Sequence, residues 1–82
     1  MVIEIIRELP ISKGGACQAL VKRGNKYYVV SSVHAMFTGF ETLVFPADAD
    51  GNVTTWGEVA GGRGMSREEA IGDLASICDD RE

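Results

Sequence analysis

Residues 16–33 read ACQALVKRGNKYYVVSSV, and this stretch decides the fold of the chain. Apolar and polar side chains alternate loosely over residues 16–22, as in a strand with two different faces. The Gly24-Asn25 pair that follows is a strong signal for a tight hairpin turn. Residues 27–33 are rich in tyrosine and valine, which favour extended structure. The stretch therefore predicts an antiparallel β-hairpin.

Strand-forming segments stand on both sides of this hairpin. The segment before it is rich in isoleucine and ends at Pro10, and a segment after it ends at Pro46. A turn around Asp50-Gly51 separates that segment from a last one. No helix-length connection lies between any of these segments, so antiparallel pairing is favoured. The predicted strands span residues 2–9, 16–22, 26–33, 40–45 and 53–59.

The end of the chain changes from a strand period to a helix period. Ser66 and Glu69 have the spacing of a capping box, and two acidic residues in the first turn suit the helix dipole. Beyond them the apolar residues of the segment fall on one stripe. The sequence predicts one helix over residues 67–79.

The predicted fold is a single α+β domain over residues 1–82 with the order β-β-β-β-β-α. An antiparallel sheet of about five strands carries the C-terminal helix on one face. The second face is either solvated or paired with another copy of the chain. Because the helix covers one face only, we expect some aromatic side chains to stay exposed and to support a homodimer.

Length and composition restrict what the chain can do. Its 82 residues leave little apolar material for an internal ligand cavity, which favours a binding surface. No apolar run approaches the length of a membrane span. The N-terminus lacks the basic region and cleavage site of a signal peptide, so we expect a cytoplasmic protein.

The cysteines and the histidine are weak candidates for chemistry. In the cytoplasm, Cys17 and Cys78 are expected to be buried thiols rather than a disulfide. With His34 they are too few, and too poorly spaced, to hold a metal, so no metal or cofactor is expected. Cys17, His34 and Asp48 form the most catalytic-looking set, yet no oxyanion-hole loop follows Cys17. A structural thiol and a surface histidine are favoured, and no catalytic residue is predicted.

Two further segments resemble known loops in part. Residues 60–66 are rich in glycine and precede a helix, as a phosphate loop does, but Arg63 is their only cation. We expect a flexible connector there. Residues 48–52 resemble the opening of a calcium loop, but Val53 stands where that loop requires glycine. We expect a β-turn.

Charge is distributed unevenly along the chain, whose net charge is −4. Residues 1–31 carry five basic and two acidic side chains, and residues 41–82 carry three basic and ten acidic ones. This asymmetry fits an acidic face that attracts basic partners, and it fits equally the ordinary charge of a soluble domain.

A cluster of cations stands at the tip of the predicted hairpin, next to two tyrosines. Such a combination can bind single-stranded nucleic acid, but three cations supply little of the phosphate neutralisation required. A solvated hairpin tip is favoured, and no direct nucleic-acid partner is expected. The cluster consists of Lys22, Arg23 and Lys26, with Tyr27 and Tyr28 beside it.

The chain has three general features: its length, the lack of catalytic groups, and the acidic half from FETLVFPADADGNVTTWGEVAGGRGMSREEA onward. In these features it resembles the small orphan proteins of phages and mobile elements, anti-CRISPR proteins among them. The resemblance implies a compact inhibitor that covers a surface of a CRISPR effector, and it assigns no individual residue.

We therefore expect a non-enzymatic, protein-binding inhibitor that presents acids to a basic, nucleic-acid-binding surface of its target. The alternatives are a small assembly module that oligomerises through its sheet and, in third place, a small Cys/His enzyme. The expected partner contacts are all carboxylates: Asp48, Asp50, Glu58, Glu69, Asp73 and Asp80.

Overall fold

The computed structural model describes residues 3–35 and 39–78, with side chains for residues 3–33 and 41–76. Five antiparallel strands are followed by one helix, which confirms the predicted α+β class and element order. The elements are β1 (Ile3–Leu9), β2 (Cys17–Arg23), β3 (Lys26–Ala35), β4 (Gly39–Ala47), β5 (Ala60–Arg63) and α1 (Arg67–Cys78).

The strands lie in the sheet in the same order as in the chain, so β1 and β5 form its two edges. The predicted hairpin is confirmed: Arg23 pairs with Lys26, which leaves a two-residue turn of Gly24 and Asn25. Gly24 has a φ of +62°, as the first central residue of a type II′ turn requires. On β1 the register shifts between Ile5 and Arg7, the mark of a bulge at Ile6.

One face of the sheet, here called the first face, packs against α1. Val21, Val30 and Val44 lie on it and are at most 1% exposed. Ala70 and Leu74 of α1 pack on these valines and are fully buried. Full burial of a valine or leucine is worth roughly 1.5–3 kcal/mol, so this cluster contributes strongly to stability.

The start of α1 has the predicted capping box. The N–H of Glu69 donates to Ser66 Oγ at 3.2 Å, and the N–H of Ser66 donates to Glu69 Oε1 at 3.1 Å. Next to it, Arg67 Nη1 donates to Glu8 Oε1 at 3.1 Å, and Arg67 Nη2 pairs with Glu8 Oε2. This ion pair ties the first turn of the helix to the edge strand β1.

The fifth strand does not lie where the sequence predicted it. Residues 53–59 form no strand beyond a single bridge between Val53 and Ala47, whereas Ala60–Arg63, predicted as a flexible connector, pairs with β4 as β5. The reason is a close approach of the two backbones. A Cβ at position 61 would lie 2.1 Å from the carbonyl oxygen of Thr42, and Gly61 has a φ of +95°. Only glycine fits both conditions without strain.

The opposite face, here called the second face, is covered by residues 48–59, which we call the crossing loop. Leu20, Val29 and Phe45 lie on this face, and each is at most 9% exposed. Gly51 of the loop lies against the side chain of Leu9 on β1, and Trp56 packs on Phe45. The expectation of a solvated or dimer-forming second face is therefore wrong for its centre, because the chain covers that face itself.

Candidate interaction surface

The crossing loop begins with a turn built on Asp48. Its Oδ1 accepts hydrogen bonds from the backbone N–H groups of Asp50 (2.9 Å) and Asn52 (3.0 Å). Its own N–H donates to the carbonyl of Asn52 at 3.0 Å. The bond from the Asn52 N–H holds the pKa of Asp48 below its ordinary value, because it favours the charged carboxylate. The β-turn predicted here is confirmed.

The loop is fixed to the sheet at several further points. Arg7 Nη2 donates to the carbonyl of Asp50 at 2.9 Å, which attaches the turn to β1. The N–H of Thr54 donates to the carbonyl of Pro46 at 2.9 Å, and the N–H of Val59 donates to that of Val44 at 2.8 Å. These bonds stand on either side of Trp56, so the segment that carries this residue has a defined course.

Trp56 is the most exposed of the large apolar side chains that the structure describes, at 72%. Its ring meets that of Phe45 edge to face, with centroids 5.3 Å apart and planes at 65°. Such contacts add about 0.5–1.5 kcal/mol beyond area burial. The indole therefore packs on the buried ring of Phe45, while most of Trp56 is exposed to solvent.

The segment that carries Trp56 is acidic in sequence. The crossing loop contains Asp48, Asp50 and Glu58 but no lysine or arginine. Asp50 and Glu58 are exposed, and Glu58 stands only two residues from Trp56. Arg7 of β1 also reaches the loop, and its guanidinium is bonded to a backbone carbonyl. The crossing loop thus combines an exposed aromatic ring with an excess of negative charge.

The six predicted contact residues have different positions in the structure. Asp48 and Glu69 hold backbone N–H groups in the turn and in the capping box described above. Asp73 Oδ2 accepts the N–H of Gly61 at 3.0 Å and so ties α1 to β5. Asp50 and Glu58 are exposed, and Asp80 lies outside the described residues.

These acids do not form one surface. Asp48 and Asp50 belong to the crossing loop on the second face, whereas Glu69 and Asp73 belong to α1 on the first face. The sheet stands between the two groups. Trp56 is not among the predicted contacts, because its β-favouring neighbours placed it in a strand; its position between Asp50 and Glu58 in the chain was the available signal.

The catalytic-looking set is not assembled. Cys17 pairs with Ser32 at one end of the sheet, whereas Asp48 follows Ala47, which pairs with Tyr27 at the other end. Cys17 is exposed, so the prediction of a buried thiol is wrong for it: α1 packs mainly on β3, β4 and β5 and leaves the start of β2 uncovered. The side chains of His34 and Cys78 lie outside the described part.

The cationic hairpin tip is only partly solvated. Lys22 lies over the ring of Tyr27, with Nζ 5.5 Å from the centroid, but Arg23 is fully buried. A surface depression of about 260 Å³ lies beside the tip, below the usual size of a small-molecule pocket. Its lining includes Asn25, Tyr27, Pro46 and Ala47.

The described residues hold no group of three or more histidine, cysteine or acidic side chains that could bind a metal ion. Across residues 3–35 and 39–78, no helix has the length and apolar character needed to cross a membrane. Comparison of the chain with protein-family models, with curated proteins and with solved structures finds no match.

Proposed function

We propose that the protein is a non-enzymatic, protein-binding inhibitor that covers a basic, nucleic-acid-binding surface of its target. The observation that supports this proposal is the exposure of acids on both outer layers of the domain. Asp50 and Glu58 are exposed on the crossing loop, and Glu68 and Glu69 are exposed on α1. The resemblance to anti-CRISPR proteins makes a CRISPR effector complex the first target to test.

Electrostatics explains how such a domain would act. A basic channel that holds nucleic acid attracts an acidic protein over a distance of about one Debye length, which speeds association. Once bound, the acidic domain opposes entry of the competing polyanion. With acids on two opposite layers, the domain can face basic walls on both sides of a channel.

The first experiment is a pull-down with the tagged protein from host lysate at low and moderate salt. Recovery of a stoichiometric nucleoprotein complex that weakens with salt is the expected result. Recovery of the bait alone, at either salt concentration, contradicts the proposal.

A charge-reversal variant then tests the electrostatic basis. Asp50→Lys, Glu58→Lys and Glu68→Lys are combined because all three side chains are exposed and none of their carboxylates forms a described backbone hydrogen bond. Asp48 and Asp73 are left unchanged because their carboxylates hold the fold together. We expect target binding to be lost while the fold is kept. Stability falls by only about 0.3–1 kcal/mol, because Glu68→Lys places a cation in the first turn of α1. Lys13→Glu, also at an exposed position, is the control that retains binding. Unchanged binding and salt dependence in the triple variant would refute the electrostatic proposal.

A second candidate function is an assembly module that oligomerises through the sheet. The observation in its favour is the edge strand β1, where Ile5 is 50% and Ile6 is 38% exposed. Unpaired strand edges with apolar side chains can pair with another chain. Light scattering over a concentration series tests it: a stable higher oligomer that Ile5→Lys dissociates supports this function, and a monomer at all concentrations excludes it.

A further inference from the structure

We infer that Trp56 and Glu58 on the crossing loop form a docking site for an arginine side chain of a basic protein partner. This inference deepens the proposed function, on which it rests for the basic character of the partner. It names the element that makes the contact and the chemistry that the element recognises.

Trp56 is exposed in the manner of a residue that docks into a partner. Exposed tryptophans that dock into partners carry a large share of the binding energy in protein interfaces. Here the residue is 72% exposed although a buried apolar neighbour, Phe45, lies in contact with its ring. The contact with Phe45 holds the indole on one side, and the rest of the indole surface is available to a ligand.

The crossing loop is held in place before any partner binds. Hydrogen bonds from Thr54 and Val59 to β4 stand on either side of Trp56, and Arg7 holds the turn at Asp50. Because little conformational freedom is lost when a fixed side chain binds, an ordered loop binds more tightly than a mobile one.

The chemistry of Trp56 and Glu58 indicates which side chain of the partner would bind. Only Gly57 separates Trp56 from Glu58 in the chain, so their Cα atoms are at most about 7 Å apart. A guanidinium group that stacks on the indole would therefore have the exposed carboxylate of Glu58 within reach. Asp48 and Asp50 add to the negative potential of the loop. Arginine suits such a site better than lysine, because its planar, weakly hydrated group stacks on aromatic faces and pairs with a carboxylate at the same time.

The experiment uses the fluorescence of Trp56, which is the single tryptophan of the chain. The purified protein is titrated at low salt with an octa-arginine peptide and, in parallel, with an octa-lysine peptide of equal charge. We expect a saturable change in emission with octa-arginine and clearly weaker binding of octa-lysine.

Variants separate the site from diffuse attraction. Glu58→Gln is expected to weaken octa-arginine binding about threefold, the size of one exposed ion pair. Glu4→Gln removes an exposed carboxylate from β1 and is expected to have no effect. With a labelled peptide and anisotropy as the readout, Trp56→Ala is expected to lose about fivefold, and Trp56→Tyr to retain part of the affinity because it keeps an aromatic ring.

Equal affinities for the two peptides, or equal effects of Glu58→Gln and Glu4→Gln, would overturn the inference. That result would leave the proposed function intact, since diffuse attraction can still serve an inhibitor. Conversely, arginine-selective binding without recovery of any nucleoprotein complex would refute the proposed function and retain the docking site.

Discussion

At position 61 a single missing Cβ determines how the last strand joins the sheet. Gly61→Ala places a methyl group 2.1 Å from the carbonyl oxygen of Thr42, at a φ of +95°. Relief requires a backbone shift that disturbs the β4–β5 ladder and the bond from Gly61 to Asp73. We expect the free energy of unfolding to fall by about 3 kcal/mol. Urea denaturation measures it.

The neighbouring residue Gly62 is the matched control. It lies on the same strand, has no positive φ and has no atom within 4 Å of the position a Cβ would take. Gly62→Ala is expected to change stability by less than about 1 kcal/mol. Equal losses from the two substitutions would show that the close approach at Gly61 does not matter.

Contacts between single residues were predictable only where they are local. The bonds between Ser66 and Glu69 follow from a spacing of three residues at a helix start. The Thr42 hydroxyl, by contrast, donates to the carbonyl of Met65, and Asp73 accepts from Gly61. These partners are 23 and 12 residues apart, and they meet only because α1 packs across β4 and β5. No sequence spacing announces them.

A glycine in the middle of α1 lowers the stability of the helix. Gly72 is exposed in its middle, and a Cβ there would meet no other atom. Gly72→Ala removes conformational freedom from the unfolded chain without a clash. We expect an increase of about 0.5–1 kcal/mol in the free energy of unfolding, measured by urea denaturation.

Ser76→Ala provides the comparison, because Ser76 is exposed one turn further along the same helix. Serine is a better helix former than glycine, so we expect a smaller gain. A loss of stability in Gly72→Ala would contradict the prediction that position 72 accepts a methyl group without a clash.

Among the elements, local signals located the hairpin, β4 and the helix but misplaced the last strand. Residues 53–59 contain valine, threonine and tryptophan and therefore have the higher strand propensity, yet they form the crossing loop. Residues 60–63, with two glycines, form β5, and the close approach of Gly61 to Thr42 leaves no room for a Cβ. Propensity records side-chain preference and says nothing about how near two backbones must come.

For the whole molecule, the pairing of Glu8 with Arg67 makes stability depend on pH. The bonds from Arg67 hold the pKa of Glu8 below its ordinary value of 4.5, and Glu8 in turn raises the pKa of Arg67. A carboxylate with a lowered pKa in the folded state stabilises the fold above its ordinary pKa. That contribution is lost as the pH falls through the lowered value.

We therefore expect the melting temperature to fall as the pH decreases below about 4.5, and Glu8→Gln to make this fall less steep. Thermal unfolding followed by circular dichroism between pH 7 and pH 3 measures both effects. Glu4→Gln on the same strand is the control and should follow the unmodified protein. Identical profiles for Glu8→Gln and the unmodified protein would show that the ion pair contributes nothing to folding.

For the whole molecule, the class of fold was predictable from the sequence, whereas the covering of the second face was not. The α+β order depends on alternation and periodicity, which are visible in the chain. The covering of the second face depends on contacts of Gly51 with Leu9 and of Trp56 with Phe45. No local sequence pattern encodes contacts between residues so far apart in the chain. The expectation of one acidic face was open to the same error, since it assumed that acids close in sequence share a surface.

The meander order of the sheet also bears on how the chain assembles during synthesis. Each strand from β2 to β5 finds its neighbour already made when it leaves the ribosome, and no strand has to be inserted between two others. Pairings between consecutive strands form quickly because the paired residues are close in sequence. The valines of the first face, however, are not covered until Leu74 emerges. We expect the growing chain to be prone to aggregation, and to be bound by chaperones, until translation passes the end of α1.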